Sequence, residues 1–254
     1  MGARALVLAA ASALLVHGAA SAAATPSITG MWDYQGRVQG ASRVAPPPVT
    51  PAIRALLDRK RAARPKDVTR SVSNMLCLPT GFPQLMSWKS PIEILQTRGR
   101  VTVISEHDPG NDEPRTIYMD RPMPKDVDLT WNGYSVGKWE GQTLVIETTG
   151  LNDRADAFGV PRTPTTRIVE RMHLENGGKT LVDDFTITDP ATLTRPFTRT
   201  LTYTRMPEDT ERFEAVCETD FEALHQTDLK AYAAFDKEAA RMIDPKQTYN
   251  PGGR

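Results

Sequence analysis

The sequence predicts an all-β fold, an antiparallel β-barrel of about 8–10 strands with short helices on the N-terminal side and at the C-terminus. Three observations favour this class. Short stretches rich in β-branched and aromatic residues follow one another along most of the chain. Several of them alternate apolar and polar side chains, as half-buried strands do. The connections are mostly short, and Pro is abundant at 20 of 254 residues, which is typical of a chain with many turns.

Ten stretches are candidate strands because of this composition and alternation. They are Ser27–Tyr34, Ile92–Thr97, Val101–Glu106, Arg115–Met119, Tyr134–Glu140, Thr143–Thr148, Arg167–Leu174, Thr180–Thr188, Phe197–Arg205 and Arg212–Glu218. Consecutive antiparallel strands with short connections indicate an up-and-down barrel, since closure removes the exposed edges of a long meander. A β-sandwich is the alternative.

The hairpin formed by Tyr134–Glu140 and Thr143–Thr148 is the clearest local prediction. Gly141 supplies the positive φ that a tight reversal needs. Trp131, Tyr134 and Trp139 place three large rings within nine positions of one another. We interpret these rings as a core seam or as the wall of an apolar pocket.

The ends of the chain and one insert are predicted to lie outside the strands. Residues 1–24 have the basic start, short apolar run and small-residue cleavage site of a signal peptide. Residues 25–254 then form a single barrel domain, with a helical insert at about 50–70 and a helical segment at about 221–243. No later stretch is apolar enough to be a transmembrane helix. We therefore expect a periplasmic or secreted protein.

Charge and cysteine content narrow the function classes. Basic and acidic residues balance at 31 each, so nothing marks a nucleic-acid partner or a polybasic membrane contact. Cys77 and Cys217 are the two cysteines of the chain. In an exported protein such an even pair indicates a disulfide, here closing a loop of about 140 residues.

Several motifs of familiar enzyme classes are missing, and we expect no cofactor. The chain has no His-Glu-x-x-His pair, no Walker loop and no dinucleotide fingerprint. The mature chain has three histidines, His107, His173 and His225, far apart in sequence. This spacing does not suit a zinc site, and we expect no bound metal.

Polar residues near the aromatic hairpin are the candidates for chemistry. Glu170 and Arg171 point to opposite faces of one strand, and Arg171 and His173 point to the same face. A carboxylate that enters an apolar lumen has a raised pKa and can move protons. The candidate catalytic set is Glu170 or Asp153 as the base, Tyr134 or His173 as the acid, and Arg162 as the charge stabiliser. The candidate ligand-binding set is Tyr118, Asp120, Trp131, Trp139, Asn152 and Arg171.

Two resemblances support the barrel. The opening Gly30-Met31-Trp32 resembles the Gly-x-Trp start of lipocalins and calycins, in which the Trp closes one end of the barrel. The runs CLPTGFPQ, RTIYMDRPMP, LTWNGYSVGKWEGQTLVIETTGLNDR, IVERM, TITDP, LTRPFT and VCE resemble a widespread group of exported, mostly uncharacterised bacterial proteins. Their pattern runs close to "TWxGxSxGxWEGDTLVVDTxGFND…TERF…TIDDP…TKPWT", and the match covers about residues 75–218. The resemblance implies a lipocalin-like barrel, and both cysteines fall on family positions.

Two departures from that pattern concern possible chemistry. Met123 and Arg162 stand where the family often has histidines. A methionine cannot carry a proton, so any proton transfer at that position is lost. Arg162 remains cationic and could hold an anionic or phenolic oxygen of a ligand.

These observations leave three hypotheses for function. The first is an exported barrel that holds a small apolar or aromatic molecule in its lumen. The second is a cofactor-independent lyase, isomerase or hydrolase on the same barrel, since such reactions need only a positioned acid and base and a charge stabiliser. The third is a structural envelope protein with a packed interior. The oligomeric state is left open.

Overall fold

The computed structural model describes residues 25–36, 46–63, 77–88, 90–106, 114–213 and 217. Within them the chain forms eleven strands and one α-helix. The strands are β1 (Gly30–Tyr34), β2 (Ile92–Thr97), β3 (Arg100–Ser105), β4 (Arg115–Met119), β5 (Tyr134–Glu140), β6 (Thr143–Thr149), β7 (Asp156–Ala157), β8 (Val160–Pro161), β9 (Arg167–Glu175), β10 (Thr180–Thr188) and β11 (Phe197–Arg205). The helix α1 spans Pro51–Ala63.

Nine strands close into a barrel in the order β1-β11-β10-β9-β6-β5-β4-β3-β2, which confirms the predicted all-β barrel. Eight of the nine neighbouring pairs are antiparallel, and β4 and β5 pair in parallel. A ring of nine strands must contain an odd number of parallel pairs, because the strand direction has to return to itself around the circle. The long connection between β4 and β5 allows this parallel pair, since the chain runs back along the barrel between them.

The β5–β6 hairpin has the predicted register, with Glu140 paired to Thr143 and Tyr134 to Thr149. Gly141 takes φ +62° in the turn, the left-handed conformation that glycine adopts without strain. Leu144, Ile146 and Thr148 point into the barrel and are fully buried. The alternating set Leu144, Ile146 and Thr148 of the sequence is thus the face of β6 that lines the lumen in the structure.

The first strand closes one end of the core. Trp32 is fully buried on β1, and its indole N–H donates to the carbonyl oxygen of Ile28 at 2.9 Å. The guanidinium carbon of Arg205, on the neighbouring β11, lies 4.2 Å from the Trp32 ring centre. The cationic guanidinium is attracted to the face of the indole ring in a cation–π interaction, and it covers the apolar ring on that side.

Helix α1 begins as predicted, since the Ile53 amide donates to the Thr50 hydroxyl at 3.4 Å in an N-cap. Cys77 and Cys217 form the predicted disulfide, with an S–S distance of 2.11 Å across a separation of 140 residues. Within the described ranges, no helix has the length and apolar character needed to cross a bilayer.

One predicted strand is wrong, one short ribbon was not predicted, and three predicted segments fall outside the described residues. The predicted strand Arg212–Glu218 is not formed at Arg212, Phe213 or Cys217, which have no ladder partner. The β7–β8 ribbon was not predicted, because two-residue strands are too short to show alternation. The predicted signal peptide at 1–24, the end of the insert at 64–70 and the helical segment at 221–243 lie outside the described residues.

Candidate functional site

A buried ion pair lies inside the barrel between β4 and β9. Arg115 is 1% exposed and Glu170 is 0% exposed. The Arg115 guanidinium donates from Nη1 to Glu170 Oε1 at 2.8 Å and from Nη2 to Glu170 Oε2 in a bidentate arrangement. Two parallel charge-assisted hydrogen bonds fix both side chains in one orientation. Removing two charges from water costs several kcal/mol per ion, so such a pair is weak evidence for stability alone.

Two hydroxyls complete the surroundings of Arg115. Nη2 also donates to Thr148 Oγ1 at 3.2 Å and to Ser135 Oγ at 3.3 Å, and these two hydroxyls lie 2.8 Å apart. Ser135 on β5 and Thr148 on β6 are register partners, so the hairpin presents both oxygens to the same point in the lumen. Small polar side chains at these positions leave room for the guanidinium and accept hydrogen bonds from Nη2, whereas the buried Nε of Arg115 has no hydrogen-bond partner among the described residues.

Asp183 is the third ionisable group of this interior cluster, and it is 0% exposed. It lies on β10 at a position diagonal to Glu170, since Asp183 pairs with Met172 and Phe185 pairs with Glu170. Neither carboxyl oxygen of Asp183 has a hydrogen-bond partner among the described residues. Burial raises the pKa of Asp183 well above its ordinary value, the negative charge of Glu170 raises it further, and Arg115 opposes the shift.

The raised pKa favours the protonated, neutral form of Asp183. Neither of its carboxyl oxygens has a hydrogen-bond partner among the described residues. A buried acceptor in that state costs about 1–3 kcal/mol unless a water or a ligand supplies a donor. The name "interior cluster" is used below for Arg115, Glu170 and Asp183.

Aromatic side chains surround the interior cluster. The guanidinium carbon of Arg115 lies 3.7 Å from the centre of the Phe82 ring. Phe82 packs against Phe185 with ring centres 6.1 Å apart, and Phe158 meets Phe185 edge-on at 5.3 Å. The Tyr203 hydroxyl donates to the carbonyl oxygen of Met86 at 2.6 Å, and burial raises its pKa well above the ordinary value. The phenol therefore stays protonated at neutral pH.

Arg162 ties three loops together. Its Nη1 donates to the carbonyl oxygens of Phe82 and, at 2.9 Å, of Trp131, and its Nη2 donates to Asn152 Oδ1 at 2.9 Å. Burial lowers the pKa of Arg162 to about 10, with Asp156 and Asp153 opposing the shift, so the side chain is protonated at neutral pH. Arg162, the predicted charge stabiliser, therefore links three loops, and Asn152, a predicted ligand contact, is one of its partners. Its buried Nε has no hydrogen-bond partner among the described residues.

Four predicted site residues lie on the outer face of the barrel, because side chains alternate along a strand and their neighbours point inward. Tyr118 and Tyr134 stack on each other with ring centres 4.9 Å apart. Arg171 donates to Glu140 at 3.3 Å, and His173 Nε2 lies 3.2 Å from Glu175 Oε1. The structure does not bring Tyr134 or His173 beside Glu170 as its acid partner.

The remaining predicted residues lie at the barrel rim or against the core. Trp139 is half-buried and packs against the core. The backbone carbonyl oxygen of Trp131 accepts a hydrogen bond from Arg162. Asp120 is exposed and ends β4 with a positive φ of 54°, and Asp153 is exposed as well. Of the predicted catalytic set, Glu170 alone lies in the interior cluster.

Sequence reasoning missed Arg115 and Asp183, although the sequence carries a signal for both. In β10 the inward positions are Leu181, Asp183, Phe185 and Ile187, so one acid interrupts an apolar alternating set. In β4 Arg115 shares its face with Ile117 and Met119 in the same way. An ionisable residue on the apolar face of an amphipathic strand indicates a buried charge.

The described residues contain no group of three or more His, Cys, Asp or Glu side chains arranged to hold a metal ion. The fold and the interior cluster define a closed, nine-stranded barrel with a buried acid–base group. Comparisons with protein-family models, curated proteins and solved structures found no match to this chain. The resemblance to the exported bacterial family therefore stays a prediction.

Proposed function

We propose that the barrel binds a small molecule in its lumen and that Asp183 is the anchor for a hydrogen-bond donor of that molecule. The observation that carries this proposal is the fully buried Asp183 carboxyl with no donor among the described residues. Buried polar groups are nearly always satisfied, so an unsatisfied one calls for a specific partner. A ligand O–H or N–H group fits the acceptor that Asp183 presents.

The charges of the lumen limit the ligand to a neutral molecule. Arg115 is already neutralised by Glu170 in a bidentate pair. A charged ligand would add an uncompensated charge in an apolar enclosure, which is strongly unfavourable. Phe82, Phe158 and Phe185 favour an aromatic or apolar body. The proposed ligand class is therefore a small uncharged molecule with an aromatic or apolar body and one hydroxyl or amine donor.

The proposal includes an exported location, periplasmic or secreted. The Cys77–Cys217 disulfide supports it, since disulfides persist in oxidising compartments. Membership in the exported bacterial family named above is part of the same proposal and is supported by the quoted motifs.

A thermal-shift screen with neutral aromatic and apolar alcohols and amines tests the proposal. We expect the wild-type protein to be stabilised by compounds of this class, in proportion to the logarithm of their concentration. Asp183→Leu should lose at least about 1.5 kcal/mol of the binding free energy, because leucine is of similar size but offers no acceptor to the ligand. Asp184→Leu is the matched control, since Asp184 lies next in sequence but points outward and accepts from Thr200 at 2.5 Å.

Absence of any stabilising compound in the screen favours the third hypothesis, a structural barrel with a packed interior. Equal responses of the Asp183→Leu and Asp184→Leu proteins contradict Asp183 as the anchor. In that case binding, if present, occurs elsewhere on the protein.

Acid–base catalysis on the bound molecule is the second candidate function, and the raised pKa of Asp183 favours it. When the environments of two neighbouring carboxyl groups push their pKa values apart, one group serves as a proton donor and the other stays charged, as in many acid–base sites. Asp183 would supply the proton, and Glu170 would accept one or stabilise a cation. Turnover of a bound compound by the wild-type protein, lost in Glu170→Gln with binding retained, supports a lyase, isomerase or hydrolase. Unchanged turnover in Glu170→Gln removes Glu170 from the mechanism.

A further inference from the structure

The inward face of β11 carries an arginine near each end of the strand. Its inward positions Phe197, Leu201 and Tyr203 are buried, and the threonines between them are exposed or half-buried. Arg199 and Arg205 belong to the same inward set, and both are half-buried. An inward arginine that is half-buried keeps its stem in the apolar interior and turns its guanidinium towards water. The two guanidinium groups therefore lie at opposite ends of the barrel.

Both arginines stack on a buried ring, and they differ in their hydrogen bonds. The guanidinium carbon of Arg205 lies 4.2 Å from the centre of the Trp32 ring, and that of Arg199 lies 4.2 Å from the centre of the Phe158 ring. Arg205 also donates to two backbone carbonyl oxygens, at 2.8 and 2.7 Å. In the part of the chain that the structure describes, Arg199 has no hydrogen-bond acceptor and no ion-pair partner. Arg205 closes its end of the barrel, whereas the donors of Arg199 are open to another molecule.

A strained turn holds the Phe158 ring against Arg199. Phe158 and Gly159 form the two-residue turn of the β7–β8 ribbon. Both take a positive φ, 52° and 85°, as a type I′ turn requires. Asn, Asp and Gly are usual at such positions, and a bulky side chain there is strained. Strain of this kind is retained mainly at functional sites, so the placement of the ring has a use.

Arg199 and the Asp183 acceptor lie near each other on the inner wall of the barrel. In the β10–β11 ladder Phe185 pairs with Arg199, and Asp183 pairs with Leu201. Asp183 and Arg199 are therefore diagonal neighbours on one face, roughly 7–8 Å apart at the backbone. Phe158 and Phe185 lie alongside, with ring centres 5.3 Å apart. A benzene ring with substituents on opposite sides separates its two polar atoms by a similar distance.

We propose that Arg199 binds a carbonyl oxygen of the lumen ligand, on the side of the ligand's ring opposite to the donor that Asp183 accepts. This inference rests on the proposed lumen site. It narrows the ligand class to neutral aromatic ketones, aldehydes and esters that carry a hydroxyl or amine. A carbonyl oxygen gives up little hydration, so it suits a half-buried guanidinium in an otherwise neutral lumen. A carboxylate would lose far more hydration for the same contact.

Two probes of similar size isolate the contact with Arg199. Para-hydroxyacetophenone and para-ethylphenol both carry the phenol donor, and only the first carries a carbonyl oxygen. Isothermal titration gives the ratio of their dissociation constants, ethylphenol over hydroxyacetophenone. In Arg199→Met this ratio should fall at least about tenfold, because a hydrogen bond from a charged donor is lost while the stem still packs on Phe158. An unchanged ratio in Arg199→Met overturns the proposal.

Arg195→Met is the matched control, since Arg195 is exposed in the turn before β11. It should leave the ratio of the two dissociation constants unchanged. Arg199→Leu covers the case in which the methionine variant does not fold. An equal fall of the ratio in Arg195→Met would come from the loss of any positive charge at this end of the barrel, and it overturns the assignment to Arg199.

The carbonyl stretching band of bound para-hydroxyacetophenone tests the contact in wild-type protein without a substitution. A hydrogen bond from a guanidinium weakens the C=O bond. Isotope-edited infrared spectra should therefore place the band below its position in an apolar solvent, and Arg199→Met should return it towards that position. A band at the apolar-solvent position in wild-type protein contradicts the contact.

Asp183→Leu separates this inference from the proposed function. Weaker binding of both probes to Asp183→Leu, with their ratio retained, supports both. If Asp183→Leu binds both probes as wild type does and Arg199→Met lowers the ratio, Asp183 is not the anchor, while the Arg199 contact stands. If Asp183→Leu loses both probes and Arg199→Met keeps the wild-type ratio, the Arg199 contact fails and the proposed function stands. Binding of neither probe to wild-type protein also overturns the carbonyl contact, and the thermal-shift screen then decides the proposed function.

Discussion

The difference in free energy of unfolding between Asp183→Asn and wild type should shift in favour of Asp183→Asn as the pH rises. Burial and the charge of Glu170 raise the pKa of Asp183 in the folded state well above that in the unfolded chain. At pH values between the two, the folded protein holds a proton that the unfolded chain has released. Stability of the wild-type protein therefore falls with rising pH in this window, by up to about 1.4 kcal/mol per pH unit. The asparagine side chain has nearly the same shape as the aspartic acid that it replaces, and it cannot ionise.

Urea unfolding at constant ionic strength, followed by tryptophan fluorescence, measures the difference. As the pH rises above the ordinary pKa of an aspartic acid, the free energy of unfolding of Asp183→Asn should gain on that of wild type by up to about 1.4 kcal/mol per pH unit. Titrations shared by both proteins cancel in this difference. Asp184→Asn should track wild type, since its carboxyl is exposed and bonded to Thr200. A difference that stays constant, or that favours wild type as pH rises, refutes a buried protonated Asp183.

Three further predictions concern the interior pair and the loops. Arg115→Met should lower the free energy of unfolding, measured in urea, by about 3–5 kcal/mol, because it leaves Glu170 buried without its partner. Adding Glu170→Leu should recover much of that loss. A free energy of unfolding of Arg115→Met within about 0.5 kcal/mol of wild type contradicts this prediction. Replacing Cys77 and Cys217 by Ser should lower stability by up to about 4–5 kcal/mol for the 140-residue separation, and equal unfolding midpoints under non-reducing conditions would show no contribution. Asp189→Ala should cost about 1.5–3 kcal/mol, since its carboxylate accepts from three threonine hydroxyls and one amide; an unchanged thermal midpoint argues against that role.

The parts of the fold that local patterns determine were predicted well. β2, β4, β5 and β10 begin and end where alternation and turn residues place them. The β5–β6 hairpin follows from Gly141 and from the alternation of β6. The parallel β4–β5 pair could not be predicted in this way, because it depends on the number of strands around the closed ring.

The interior site was predicted only in part. The sequence placed Glu170 and Arg171 on opposite faces, and the structure puts Glu170 inside and Arg171 outside. Which face of a strand points inward depends on closure of the barrel, so the sequence did not show whether Tyr134 and His173 point into the lumen or outward. Arg115 was interpreted as the boundary of a strand, because a charged first residue is common at strand ends. Its partners Ser135 and Thr148 come from distant strands, and no local pattern links them.

The burial of the segment 78–87 inside the barrel could not be predicted from local patterns either. The run of residues 77–83 has the Pro and Gly content of a surface turn. Phe82 is nevertheless buried, because the nine-stranded ring leaves interior volume and Arg115 offers a cation beneath the ring. Gly81 permits the close approach, since a Cβ at this position would lie 2.8 Å from the Trp131 carbonyl oxygen and φ is +69°. Such packing is a property of the closed barrel.

Native mass spectrometry of the wild-type, Asp183→Leu and Asp184→Leu proteins, each purified under gentle conditions from its natural host, tests the central claim most directly. We expect wild-type protein and Asp184→Leu to carry the same small neutral molecule and Asp183→Leu to lose it. The same molecule on all three proteins, or on none, would contradict a lumen site anchored by Asp183.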